Sequence, residues 1–97
     1  MGSFEQVLNV FSDYLAGDSN IEVVMTSRGY TVLGWEDHVK NWETSECCPT
    51  PESLFNILAY SFADYRELSI TGGDRDLTPQ ESDTIKLECD SRKALCE

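Results

Sequence analysis

The residues able to do chemistry are few: one imidazole, His38, and four thiols, Cys47, Cys48, Cys89 and Cys96. Acid–base or nucleophilic work at His38 would need a serine or cysteine set beside it by a local signature, and none is present. A surface histidine in a turn or at a strand edge is the better reading. Among the thiols, Cys47 and Cys48 are adjacent, while Cys89 and Cys96 stand about two helical turns apart on one face. Structural zinc sites space their cysteines by about two to four intervening residues, which neither pair does. No metal and no cofactor are therefore expected. Two readings of the thiols stay open. Cys89 and Cys96 suit the role of small apolar core residues, which a reducing compartment favours. A disulfide from Cys47 or Cys48 to Cys89 or Cys96 would instead tie the start of the central helix to the last one.

Two further patterns fail on inspection. Asp74, Asp76 and Thr78 have the opening spacing of a calcium loop, but Pro79 stands where that loop needs glycine and Ile85 where it needs a bidentate glutamate. Gly72 and Gly73 are not followed by the Lys and Ser or Thr of a phosphate loop. Paired acids such as Glu36 and Asp37 are common in turns and need no catalytic role. The chain reads as a non-enzyme, and what remains is recognition. Tyr30, Trp35 and Trp42 fall on predicted strands, where they are expected to pack against the first two helices, although an open sheet face would present one of them to a partner. Glu36, Asp37, Glu43 and Glu46 lie among them, and Asp74 and Asp76 sit on a polar loop. Together these residues are the candidate partner surface.

The elements that must position them are organised by Thr50 to Leu68. Thr50 is a good N-cap, Pro51 suits the first helical position, and Glu52 sits at the positive end of the helix dipole. At 100° per residue Leu54, Ile57, Leu58, Phe62, Tyr65 and Leu68 share one apolar face. Before it, Ser3 and Gln6 have capping-box spacing, and Phe4, Val7, Leu8, Phe11 and Leu15 recur at helical period up to Gly17, which is read as the C-terminal cap. From Ile21 the period becomes two, resuming after Ser27, Arg28 and Gly29, and so predicts a β-hairpin with a three-residue bulged loop. A third strand is expected around Val39 to Glu43, with Val39 or Trp42 facing the sheet, followed by a loop over Ser45 to Pro49. Thr78, Pro79 and Glu81 open a last helix with an Ile85, Cys89 and Cys96 stripe and a Glu88–Arg92 pair four apart. Leu87 and Ala94 lie opposite that stripe, and the oligomeric state is left open. The fold class is α+β: helix, hairpin or three-stranded antiparallel meander, helix, helix, with the helices on one sheet face.

Ninety-seven residues make a single small domain spanning 1–97, for which a compact radius of gyration of roughly 12 to 13 Å is expected. Eighteen carboxylates against seven basic side chains give a net charge of −11. That charge repels phosphate and anionic head groups, so direct nucleic-acid or membrane binding is disfavoured and a basic protein partner is expected. No apolar run approaches the ~18 residues needed to cross a bilayer, and no basic region precedes an apolar segment at the N-terminus, so a cytoplasmic location is expected.

End to end, the chain resembles a group of short uncharacterised proteins from phages and mobile elements of gut Firmicutes. The resemblance runs through Asp13-Tyr14-Leu15-Ala16, Glu22-Val23-Val24-Met25-Thr26 and Arg28-Gly29-Tyr30-Thr31-Val32, then Cys48-Pro49-Thr50-Pro51-Glu52, Arg75-Asp76-Leu77-Thr78 and Cys96-Glu97. It implies a bacterial setting and an accessory role, with no activity or ligand attached. The leading expectation is a small acidic binding or regulatory protein acting through a protein partner. The alternative is a DNA-mimicking inhibitor of a nucleic-acid-binding protein, similar in size, charge and element order to some anti-CRISPR proteins. Eleven net charges would match only about 19 Å of duplex at one charge every ~1.7 Å, and only if gathered on one face.

Overall fold

Thr50 caps the helix on which everything else rests. In the computed structural model, which describes residues 1–97, the Thr50 side-chain oxygen accepts from the Ser53 N–H and Ser53 Oγ accepts from the Thr50 N–H, both at 3.1 Å. The chain runs α1 (Phe4–Val10), α2 (Ser12–Gly17), β1 (Ile21–Thr26), β2 (Gly29–Glu36), β3 (Asn41–Cys48), α3 (Pro51–Thr71) and α4 (Pro79–Leu95). The strands form one antiparallel meander in the order β1-β2-β3. α3 packs against β2 and β3 and, within the same layer, against α1 and α4, and Phe4 of α1 also touches Tyr30 of β2, so the helices lie on one face of the sheet. This is the α+β arrangement expected from the hydrophobic periods.

Side-chain alternation divides the sheet. Val32 and Cys48 are buried under the helices, and Tyr30 meets Phe4 with ring centroids 4.9 Å apart. Across the ladder their face also carries Val23 opposite Val32, Glu46 opposite Val32, and Gly34 between Ile21 and Thr44. The core proper is aromatic along its length: Phe11 lies 5.3 Å from Phe55 and 6.2 Å from Phe62, and Phe62 lies 5.7 Å from Tyr14. Only 12 of 97 residues are buried, and the molecule measures 41 × 37 × 18 Å. Its short axis holds one sheet and one helical layer and no more. The flattening raises the radius of gyration to 13.8 Å, above the value for a compact chain.

Several boundaries differ from the expectation. The first helix is two: it breaks at Phe11, whose φ of −108° and ψ of 8° leave the α-helical region, and α2 ends at Asp18 in extended conformation without a left-handed Gly17. The hairpin loop is Ser27 and Arg28 alone, because Thr26 already pairs with Gly29. Gly29 does take positive φ, at 108°. The third strand starts at Asn41 and continues through Ser45 to Cys48 because these residues pair with Tyr30 to Leu33. Val39 lies in the preceding turn, 60% exposed. α3 runs past Leu68 to Thr71 and stops at Gly72, whose φ of 65° supplies the left-handed cap. The expected Glu88–Arg92 pair is absent. Glu88 instead receives two bonds from Arg66 of α3 at 2.9 and 3.0 Å, and Arg92 reaches Asp13 of α2. Those cross-element partners fix α4 to its neighbours, which a pair within the helix would not do.

Candidate functional site

A groove of about 630 Å³ opens between the second half of α3 and the helix-facing side of the sheet. Its origin is local. Where a packed sheet would send large apolar side chains towards α3, this one offers Gly34, Thr44 and Glu46, so the two layers stand apart. Thr44 Oγ1 occupies part of the space a side chain at position 34 would need, lying 2.3 Å from where a Cβ would stand. On the opposite wall Ile57, Tyr60, Ser61, Asp64, Tyr65 and Leu68 recur at helical spacing. Tyr65 and Leu68, expected in the core, are 37% and 61% exposed because the sheet surface opposite them does not reach. Phe55, not expected on the apolar face, is buried nearer the start of the helix against Phe11.

The end of the groove is built by α2 and the turn after it. The Tyr14 hydroxyl donates to Asp18 Oδ2 at 2.8 Å, and the Asn20 N–H donates to Asp18 Oδ1 at 3.0 Å, so both carboxylate oxygens are held. Burial, reinforced by the Asp18 charge, pushes the Tyr14 phenol far above its ordinary range and keeps it a hydrogen-bond donor. Tyr65 lies beside Tyr14 at 5.4 Å and donates to the Gly17 carbonyl at 3.4 Å. The groove thus has three carboxylates, Asp18, Glu46 and Asp64, with three tyrosines and an apolar strip of Val32, Ile57 and Leu68, and no basic residue lines it. The ion pairs of the chain use Asp37, Glu88, Glu81 and Asp13, leaving Glu46 and Asp64 unmatched.

The residues expected to form a partner surface do not converge. Glu46 lines the groove. Tyr30 does not: it is half-buried against Phe4 at the other end of the helix-facing side. Trp35 and Trp42 pair directly across β2 and β3, 5.1 Å apart and edge to face, next to the irregularity between Gly34 and Trp35. Alternation from Val32 and Gly34 turns Trp35 to the face away from the helices, so the tryptophans pack on each other and not on the first two predicted helices as expected. Glu36 accepts from the His38 N–H, and Asp37 pairs with Lys40 at 2.8 Å, both within the β2–β3 turn. Glu43 stands on exposed β3, while Asp74 and Asp76 occupy the loop before α4. There Arg75 holds Glu81 through two bonds of 2.8 and 3.0 Å, and the Thr78 side-chain oxygen accepts from the Glu81 N–H, so the loop serves as a helix cap.

No family model, curated protein or solved structure matches the chain. His38 is exposed at one end of β3 and Cys47 lies at the other, six strand steps from Asn41, or roughly 20 Å at ~3.3 Å each. An imidazole–thiol pair is therefore not assembled. All four cysteines are free: Cys47 exposed, Cys89 half-buried, Cys48 and Cys96 buried in the core. Burial raises the Cys48, Cys89 and Cys96 thiols above their ordinary range, which disfavours the nucleophilic thiolate. No three His, Cys, Asp or Glu side chains come together as a metal-binding group, and no helix is long and apolar enough to cross a membrane.

Proposed function

We propose that the chain is a small acidic, non-enzymatic binding module that acts on another protein, in an accessory role for a phage or mobile element as its resemblance implies. The observation that carries this reading is the groove. Folding alone favours apolar side chains on the helix-facing side of β3, yet Thr44 and Glu46 stand there and hold a concave surface open. Carboxylates lie on every helix and strand, from Glu5 in α1 to Asp90 in α4, which favours recognition at the groove over a duplex-like array of charge.

The test is affinity capture from the producing cell with the wild-type chain and with a Tyr60→Ala, Leu68→Ser variant. Both side chains are more than half exposed, at 72% and 61%, so the fold is expected to survive their loss. A protein captured by the wild type and lost by the variant supports the reading. Capture that is indifferent to the two substitutions removes the groove as the partner surface.

A further inference from the structure

We infer that the groove seats an arginine of the partner protein, carried on a short segment with an apolar residue beside it. This assignment rests on the groove being the partner surface. Asp18, Glu46 and Asp64 line it without any basic residue, and although Asp18 is held by Tyr14 and Asn20, an anionic or wholly apolar occupant would leave Glu46 and Asp64 desolvated and unmatched. A cationic occupant removes that cost, and the net charge of −11 draws it to the molecule. The walls select among cations. Tyr60 and Tyr65 present phenol rings beside the aliphatic surface of Ile57 and Leu68, where a long methylene stem can rest. A guanidinium stacks on such rings and bonds a carboxylate through two parallel N–H groups, whereas an ammonium is a strongly hydrated point charge that does neither as well.

The same chain already contains this arrangement once. Arg92 places its guanidinium carbon 4.3 Å from the Phe62 ring centre and donates twice to Asp13 at 2.9 Å. The groove volume of about 630 Å³ falls within the ~300–1,000 Å³ of sites that enclose several groups. One arginine with an apolar neighbour on the Val32–Ile57 floor suits that space.

Three synthetic peptides, Leu-Arg-Leu-Arg-Leu and its lysine and glutamate counterparts, titrated into isotope-labelled full-length chain at low salt, test the assignment by amide shifts. The arginine peptide is expected to shift Gly34, Thr44, Ser61 and Asp64, to bind about fivefold more tightly than the lysine peptide, and to lose about tenfold in affinity to the Glu46→Gln, Asp64→Asn variant. The glutamate peptide is expected to leave the spectrum unchanged. Equal binding of the lysine peptide, shifts centred on Trp35 and Trp42, no binding, or affinity untouched in the double variant each overturns it. If cellular capture remains groove-dependent while the peptides fail, only the arginine assignment falls. If capture ignores the groove, the broader reading falls with it.

Discussion

Arg92 grips Asp13 across 79 residues of sequence, with both terminal nitrogens 2.9 Å from the two carboxylate oxygens. The contact lies where the first helix breaks. At Phe11 the helical ladder is interrupted, and Arg92 donates to the Val10 carbonyl beside that break while lying over Phe62 and Phe11. One side chain thus closes the gap between α1 and α2 and staples both to α4. With a core so thin, that staple should matter to stability.

Arg92→Ala is expected to cost about 2–3 kcal/mol. The loss combines an unsatisfied part-buried carbonyl with the cation–π contact. The Asp13 ion pair adds little, because that carboxylate is 70% exposed. Arg92→Lys should recover less than half, having no planar fork to bridge Val10 and Asp13. Urea denaturation of the three proteins measures both; a loss below about 0.5 kcal/mol for the alanine variant would mean that the Val10 carbonyl finds water instead.

The same pair adds a small acid dependence. The Arg92 hydrogen bond draws the Asp13 carboxyl from 3.8 down to about 2. The Arg75 fork, with the Thr78 backbone N–H, likewise draws Glu81 from 4.5 to about 2. Because these groups bind protons more tightly unfolded, their stabilisation is present in full above their unfolded values and drains as pH falls through the folded ones. The thermal midpoint should therefore drop between about pH 4.5 and pH 2, and only slightly, because solvent screens both carboxylates. Asp13→Asn, less stable at neutral pH, should show a shallower drop; an identical slope would remove Asp13 from the account.

Gly29 faces a double constraint. Its φ is 108°, and a Cβ there would stand 2.8 Å from the Cys48 carbonyl oxygen and 3.1 Å from Pro49 Cα, both backbone atoms that cannot swing away. Gly29→Ala should cost about 2–3 kcal/mol. Gly72→Ala is the comparison: its φ is 65° and its nearest neighbour is the movable Asp74 carboxylate at 3.7 Å, so about 1 kcal/mol is expected. Equal losses in chemical denaturation would mean that the Cys48–Pro49 contact is not what constrains the hairpin.

The thiols should label in order of burial. Cys47 is exposed, Cys89 half-buried, and Cys48 and Cys96 are 0% and 1% exposed. Iodoacetamide followed by peptide mass mapping is expected to modify Cys47 first and Cys89 next, with Cys48 and Cys96 reacting only on unfolding. Without reductant the native chain should still contain four free thiols. A mass two units lower per linked pair, on the order of the two hydrogens lost, would instead reveal a disulfide.

What the sequence made legible was what is local. Ser3 with Gln6, Thr50 with Pro51, and Thr78 with Glu81 announce helix starts because cap and partner are three residues apart or fewer, and each cap is formed. The alternation from Ile21 to Glu36 announces the hairpin for the same reason. The break at Phe11 is not local. Nothing between Ser3 and Gly17 signals it, and the side chain that meets the freed carbonyl comes from α4. Ser45 to Cys48 lacks the β-branched residues that advertise a strand and pairs only because β2 supplies an edge. Glu46 could be named as part of a partner surface, but the groove could not be placed. Its walls meet only through the Gly34–Thr44 register and the stretch of α3 that stands over it.

Glu46 offers the sharpest separation of fold from function. It stands opposite buried Val32 on the helix-facing side, at a position where an apolar residue would pack. Glu46→Leu is expected to raise stability by about 0.5–1.5 kcal/mol by burying its side chain against the floor and the α3 wall. The same change removes a groove carboxylate and fills part of the space, so affinity for the Leu-Arg-Leu-Arg-Leu peptide should fall about tenfold. A stabilised chain that no longer binds would show the carboxylate kept at the expense of packing. A chain destabilised by leucine would mean that the fold itself needs the charge, and the groove would lose its claim to have been held open for a partner.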